Sequence, residues 1–315
     1  MDCVTSMNLI FTGSGEFGVP TLRALLHSQH RVVQVISQPD RPAGRGRGLT
    51  PTAISRVAID ANLPLLRTGN INGETLSPAD LMIVIAFGQK ISDPIVHHPR
   101  LGSVNLHASR LPKYRGAAPI NWAIIRGEEF TGNSVIRLAQ KMDAGAILGQ
   151  SLLEIGEKET AGELHDRLAE DGVELTLKVI AELELGTAVE MPQDEALATL
   201  SPKLSRSSAK LDFSKSAIEL ARQIRGLYPW PGCRVAMCDA AGGELIRLRL
   251  VRARPGASEG IRWEPGEIMI DGLVQTGQGG VEILALQPDG GNVMSLDDYR
   301  RGHKWPPGAR LKAVE

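Results

Sequence analysis

Met7-Asn8-Leu9-Ile10-Phe11-Thr12-Gly13-Ser14-Gly15-Glu16-Phe17-Gly18-Val19-Pro20 is the stretch on which the fold turns. Residues 7–11 read as a strand, the glycines that follow permit a tight turn, and residues 19–26 read as a helix with Pro20 in its first turn. A strand feeding straight into a helix is the first half of a βαβ unit. The pattern continues, with a strand at 32–36, a helix at 54–61 and a short strand at 81–86 that is apolar on both faces. Residues 102–106 read as a further strand and 118–126 as a further helix. Such alternation builds a parallel sheet with crossover helices, so this part of the chain is expected to be α/β.

Working outward, 133–138 and 146–155 read as a strand pair. Thr160-Ala161-Gly162-Glu163 is a capping box for a helix that Gly186 ends after Leu185. Residues 190–208 are irregular and polar, with Pro192 and Pro202, as an interdomain linker would be. A helix over 216–228 stops at Pro229-Trp230-Pro231-Gly232. Short β segments at 234–237, 245–252, 266–270, 273–276 and 281–286, with glycine turns between them, suggest a small barrel.

The chain has 315 residues, 42% of them hydrophobic, enough for two cores. No apolar run reaches the roughly 18 residues of a spanning helix, and Met1 to Ser6 lacks the basic flank and apolar stretch of a signal peptide. Cys3, Cys233 and Cys238 make no disulfide or metal framework, so buried thiols in a cytoplasmic protein are expected. From Pro202 onward there are 17 Lys and Arg against 13 Asp and Glu, a balance of +4; the preceding part has 18 against 23, a balance of −5. The C-terminal part is therefore the better candidate for a surface facing RNA.

Candidate chemistry centres on Asn105-Leu106-His107 and a distant Asp143. Asn105 and His107 lie two apart at a strand end, so their side chains share a face. A carboxamide donor beside an imidazole suits an oxyanion developing on an attacked carbonyl, and a carboxylate can orient the imidazole or hold it protonated. No serine or cysteine nucleophile stands among them, which points to acyl transfer to an external nucleophile. His97-His98 has no partners at metal spacing, and no metal is expected.

The segment from Asn105 through Ser109-Arg110-Leu111-Pro112-Lys113-Tyr114-Arg115-Gly116 to Ile120 resembles the signature of the folate-dependent formyltransferases. That resemblance implies Asn105, His107 and Asp143 as the catalytic set and 10-formyltetrahydrofolate as formyl donor. It places the folate between the 85–90 loop, with Phe87 and Gly88, the Ser109-Arg110-Leu111-Pro112 loop and the Asp143 loop. Arg110 replaces an apolar residue common in the family, Ala108 a glycine, and Asp143-Ala144-Gly145-Ala146 the commoner Asp-Thr-Gly-Asp.

Pro39-Asp40-Arg41-Pro42-Ala43-Gly44-Arg45-Gly46 resembles an insertion loop of the family members that act on initiator tRNA. Arginines interleaved with glycine can approach a ligand closely and pair with phosphates or stack on bases, which makes Arg41, Arg45 and Arg47 candidate tRNA contacts, and the resemblance implies Arg45 at the acceptor end. The acceptor would be the α-amino group of methionine esterified to initiator tRNA. Lys203-Leu204-Ser205 and residues 224–232 resemble the family's domain junction and its C-terminal barrel, of oligonucleotide-binding type. The expected architecture is a Rossmann-like parallel-sheet catalytic domain over 1–201, a linker at 202–208 and an OB-like tRNA-binding barrel over 209–315, acting as a monomer.

Alternatives stay open. Gly13-Ser14-Gly15-Glu16-Phe17-Gly18 matches the dinucleotide fingerprint, with Asp40 22 residues after Gly18, as in an NAD(P)-dependent oxidoreductase. Against it, Asp40 leads into a glycine- and arginine-rich loop ill suited to wall an adenosine pocket. A formyltransferase acting on a sugar nucleotide or purine precursor would share the catalytic residues without needing the arginines. A non-catalytic RNA-binding protein would leave Asn105, His107 and Asp143 without a task.

Overall fold

The computed structural model describes residues 6–43, 48–256 and 263–314. Packing divides the chain into two compact units: Met1–Gly116, Thr131–Leu153 and His165–Leu200 form one, and Ala117–Phe130, Glu154–Leu164 and Ser201–Glu315 the other. The helices in chain order are α1 (Val19–Leu26), α2 (Ala53–Asp60), α3 (Asp93–Val96), α4 (Pro119–Arg126), α5 (Ala161–Leu185), α6 (Ala217–Gly226) and α7 (Leu296–Gly302).

The first unit carries a seven-stranded sheet made of β1 (Asn8–Gly13), β2 (Arg31–Ser37), β3 (Leu65–Arg67), β4 (Leu81–Ile85), β5 (Ser103–His107), β6 (Ser134–Arg137) and β7 (Ile147–Gln150). Their spatial order is β7-β6-β5-β4-β1-β2-β3. β3, β2, β1, β4 and β5 run parallel, and β6 is antiparallel to both of its neighbours. All five residues of β4 and Leu9, Ile10 and Phe11 of β1 are buried, as the unbroken apolar runs require of strands covered on both faces. The chain moves outward from β1 to β3 and then returns to β4 on the other side of β1. Order therefore reverses between β1 and β4, and the loops that follow these two strands open the crevice where ligands of such sheets sit.

Local signals explain both ends of α5. Thr160 N donates to Glu163 Oε2 at 2.9 Å and Glu163 N donates to Thr160 Oγ1 at 3.4 Å, which completes the capping box ahead of α5. Gly186 ends that helix at φ +68°.

In the second unit, β8 (Cys233–Cys238), β9 (Glu244–Gly256), β10 (Val274–Gln275), β11 (Gly280–Pro288), β12 (Met294–Ser295) and β13 (Arg310–Ala313) form an antiparallel sheet. The order is β10-β11-β9-β8-β13, with β12 on β11. Ile268 bridges to Val274 and Glu267 to Arg310, so the two edges approach through this one segment and the sheet is a nearly closed, OB-like barrel. Residues 266–270, expected as a strand, supply only these single bridges. Gly266 sits at φ +90° with its Cβ position 2.6 Å from the Leu311 carbonyl oxygen, a bend no continuous strand could make. β9 runs longer than expected and shifts register after Leu250, which lets it curve around the barrel. Leu220, Ile224, Val235, Leu248, Leu250, Ile283 and Tyr299 fill the core, at about 1.5–3 kcal/mol for each fully buried large side chain.

Cys233 and Cys238 are both buried on β8, and burial pushes the Cys233 thiol up to about 12, far from reactive. Among the described residues no helix is long and apolar enough to cross a membrane.

Candidate active site

β5 delivers two of the expected residues. Asn105 is flanked by Val84 of β4 and Ile136 of β6, while His107, the last residue of the strand, lies opposite Ser134. Two-residue spacing puts both side chains on one face. His107 is buried, and its Nε2 lies 2.9 Å from the Tyr114 carbonyl oxygen. A carbonyl only accepts, so Nε2 carries the hydrogen and Nδ1 is the nitrogen left to face the reacting groups. Nδ1 stands 3.7 Å from Asp143 Oδ2. The carboxamide of Asn105 makes no hydrogen bond among the described residues, so its donors stay available.

Asp143 reaches the site from the turn between β6 and β7, at φ +53°. Its Oδ2 accepts from Gly116 N at 2.9 Å. The main chain around it is held by Gln193, whose Nε2 donates to the carbonyl oxygens of both Asp143 and Gly145, at 2.8 Å each. Gly145 admits no side chain, because its Cβ position falls 1.8 Å from the Arg137 carbonyl oxygen. Arg115, 4% exposed, donates Nε and Nη2 to Gln193 Oε1 at 3.0 and 2.7 Å, and Nη1 and Nη2 to the two oxygens of Glu195 at 3.1 and 2.9 Å. Lys141 also donates to Glu195. The hydrogen bonds from Arg115, then those from Lys141, hold the Glu195 carboxyl down to about 2.

The Ser109–Pro112 loop is framed from β6 and β7. Ser134 Oγ donates to the Ser109 carbonyl at 2.6 Å and accepts from Leu111 N at 3.0 Å, and Gln150 Nε2 donates to the Leu111 carbonyl at 2.8 Å. The Ser109 hydroxyl donates to the Lys113 carbonyl at 2.6 Å, Leu111 is buried, and the Leu111–Pro112 bond is cis. Arg110 is exposed, with its stem over Gly132, whose Cβ position is 3.2 Å from Arg110 Cγ. Phe87 and Gly88 follow β4 at the crevice; Phe87 is buried, its carbonyl accepts from Gln38 Nε2 at 2.6 Å, and Gly88 has φ +76°. Gln38 also accepts from Arg41, which is exposed at the start of a short hairpin pairing Arg41–Ala43 with Gly48–Thr50. Arg45 and Arg47 lie outside the described residues.

The glycines of the fingerprint serve packing. Cβ positions at Gly13, Gly15 and Gly18 would meet the Ile85 carbonyl oxygen at 2.6 Å, Ala86 Cβ at 3.3 Å and Phe11 Cζ at 3.2 Å. Asp40, the would-be ribose ligand, has Arg67 Nε 3.0 Å from its Oδ1, an ion pair too poorly aligned to count as a hydrogen bond. Among the described residues, no group of three or more His, Cys, Asp or Glu side chains stands where it could hold a metal.

Two structural elements near the site escaped the sequence. Residues 190–200, linker-like in composition, pack along the Asp143 loop, with Met191 bridged to Ile147. The Tyr114 carbonyl that holds His107 belongs to a residue at φ +62°, and main-chain acceptors leave no trace in residue identity. Arg115 was visible inside the signature, but nothing in sequence paired it with Gln193.

The model of the formyl transferase family matches residues 7–180, and that of the formyl transferase C-terminal domain matches 203–304. The chain belongs to the formyltransferase family. A methionyl-tRNA formyltransferase of Acidobacterium capsulatum is 40% identical over 98% of this chain and 100% of its own length. One from Methylococcus capsulatus is 37% identical over 94% and 97%. These near full-length matches put this formyltransferase, a transferase enzyme, with the methionyl-tRNA formyltransferases. The fold alone is shared more widely. An N-formyltransferase of Helicobacter canadensis, solved with folinic acid and dTDP-3-aminofucose, superposes with a TM-score of 0.64 at 16% identity, over 87% of this chain and 97% of that one. HypX of Aquifex aeolicus, solved with tetrahydrofolic acid, does so with 0.60 at 17%, over 96% and 48%.

Proposed function

We propose that this formyltransferase moves the formyl group of 10-formyltetrahydrofolate onto the α-amino group of methionine esterified to initiator tRNA, for translation initiation. The observation that carries the reading is the convergence of Asn105, His107 Nδ1 and Asp143 at one strand end, in a chain whose near full-length relatives bear that activity in their names.

In this mechanism the neutral amine attacks the formyl carbon and the C–N bond forms while the carbonyl becomes a tetrahedral oxyanion. Asn105 donates to that oxygen, as does protonated His107 through Nδ1. The bond to the folate N10 then breaks, and His107 passes its proton to the departing nitrogen. Asp143 takes the proton lost by the amine, directly or through water. The folate is held by the Phe87-Gly88 and Ser109-Arg110-Leu111-Pro112 loops, where the buried carbonyl frame fixes the backbone and Arg110 turns its guanidinium outward. Arg41, Arg45 and Arg47 meet the tRNA acceptor end, and the C-terminal barrel its stem. The same reading makes the protein a cytoplasmic monomer.

The test is formyl transfer from 10-formyltetrahydrofolate to charged initiator tRNA, run beside a folate-free control and beside amino-sugar nucleotide and purine-precursor acceptors. Transfer confined to one of those other acceptors would reassign the substrate while leaving the chemistry in place.

A further inference from the structure

We propose that Gln193, oriented by the buried Arg115, is a positioning residue for Asp143. The proposal rests on the catalytic role given to Asp143 above.

The argument starts from what holds Asp143 where it is. A non-glycine residue at φ +53° is intrinsically disfavoured, and such conformations persist where surroundings over-determine them. Gly145, two residues on, is packed against the Arg137 carbonyl and cannot shift that way. Across this turn lies one side chain, Gln193, whose Nε2 donates to the carbonyls on both sides of Ala144. Its amide orientation is set by chemistry: only an oxygen can accept from the Arg115 guanidinium, and only the NH2 can donate to two carbonyls. Arg115 binds Gln193 Oε1 through two nitrogens and is nearly inaccessible, so the amide has one place to go. Glu195 adds a second attachment, taking Arg115 on one side and Lys141, two residues before Asp143, on the other. Residues 193–195 thus clasp the 141–145 turn from outside, and Arg115 anchors the clasp from within. Asp143 in turn accepts from Gly116, the neighbour of Arg115, so carboxylate and clasp share one base.

These groups hold the main chain of the turn, with no hydrogen bond from Gln193 to the Asp143 carboxylate or the His107 ring. Their effect is on where the carboxylate stands relative to His107 Nδ1, and a misplacement of about 1 Å in such a constellation lowers turnover by up to about 10²-fold.

The experiment uses the full-length enzyme with Gln193→Ala, Gln193→Glu, Asp143→Asn and the double variant Gln193→Ala/Asp143→Asn, each checked for a native thermal transition. Gln193→Glu is isosteric and keeps the bond to Arg115 but loses both donors to the turn, so it carries the test should the alanine variant fold poorly; the double variant is then Gln193→Glu/Asp143→Asn. The expected result for either Gln193 variant is a kcat reduced about ten- to a hundredfold, with KM for the folate donor and for charged tRNA within about twofold. In the Asp143→Asn background the same change should cost less than about twofold, because the carboxylate it positions is gone. A Gln193 variant with wild-type kcat, or losses that multiply independently of Asp143, overturns the proposal. If Asp143→Asn itself keeps full activity, the catalytic reading of Asp143 fails instead, and the two failures are told apart by that single variant.

Discussion

At the scale of single residues, His107 illustrates how a side chain acquires a direction. Its Nε2 is tied to a main-chain carbonyl, so one nitrogen is structural and the other, Nδ1, is left for chemistry. Asn105 has the converse property, with donors that nothing in the described protein uses. Replacing either His107 or Asn105 by Ala should lower kcat by roughly 10²–10³, the loss typical of an oxyanion donor, while folate affinity measured by titration stays near wild type. Equal losses in kcat and in folate affinity would instead make these binding residues. Glu195 gives a pH signature. Its carboxyl is held at about 2 by Arg115 and Lys141, against an ordinary 4.5, so the unfolded chain takes up the proton first. Its stabilising contribution is fully present above 4.5 and is lost as the pH falls from there towards 2. The difference in melting temperature between wild type and Glu195→Gln should therefore shrink across that window and be flat above it; a difference unchanged down to about pH 2 would show that the pair adds nothing. Asn105 and His107 were legible because strand periodicity places them together. Asp143 stood out only as a distant carboxylate, and its place in the set came with the family resemblance, since no local rule joins residues so far apart; Gln193 was hidden inside a stretch whose composition says only that it is polar and irregular.

Elements with a sharp local signal were the legible ones. α1 announces itself with Pro20, and α5 with its capping box and terminal glycine. The central strands announce themselves by unbroken apolar runs. Where neighbours decide, the sequence misleads: residues 266–270 have strand composition, but Gly266 is bent against Leu311 and only single bridges form. β13 and α7 went unread, the first because Arg310–Ala313 alternates too briefly to register, the second because Leu296–Gly302 has a single helical repeat. The cap of α5 offers a direct measure of a local signal. Thr160 is buried and its hydroxyl is the acceptor for Glu163 N, so Thr160→Ala should lower stability to denaturant by about 1 kcal/mol. Thr160→Ser, which keeps the oxygen, should recover most of it; failure of serine to do so would shift the effect from capping to packing of the methyl group.

On the scale of the whole molecule, substrate choice separates from chemistry. Arg41 sits at an exposed hairpin start, on a different loop from Asn105, His107 and Asp143. Arg41→Ala should weaken use of initiator and elongator tRNA alike and flatten the salt dependence of kcat/KM, because fewer counterions are released. Arg45→Ala should fall hardest on the initiator and narrow its advantage. Measured kcat/KM for both tRNAs decides this, and an unchanged initiator preference in Arg45→Ala moves discrimination to the C-terminal barrel. The barrel itself was legible as a run of short strands between glycines; what was not legible is that packing groups Ala117–Phe130 with it. Ala118 belongs to the barrel-side core, Trp122 and Ile125 pack on that core, and α4 lies against α6. This grouping has a consequence during synthesis. α4 leaves the ribosome about 90 residues ahead of α6, a delay of roughly 5–20 s at the usual ~5–20 residues per second, and for that interval Trp122 and Ile125 lack the α6 partner. The nascent chain therefore carries the Trp122 and Ile125 face of this helix uncovered until its late-made partner emerges, and a translational pause within that interval prolongs the exposure.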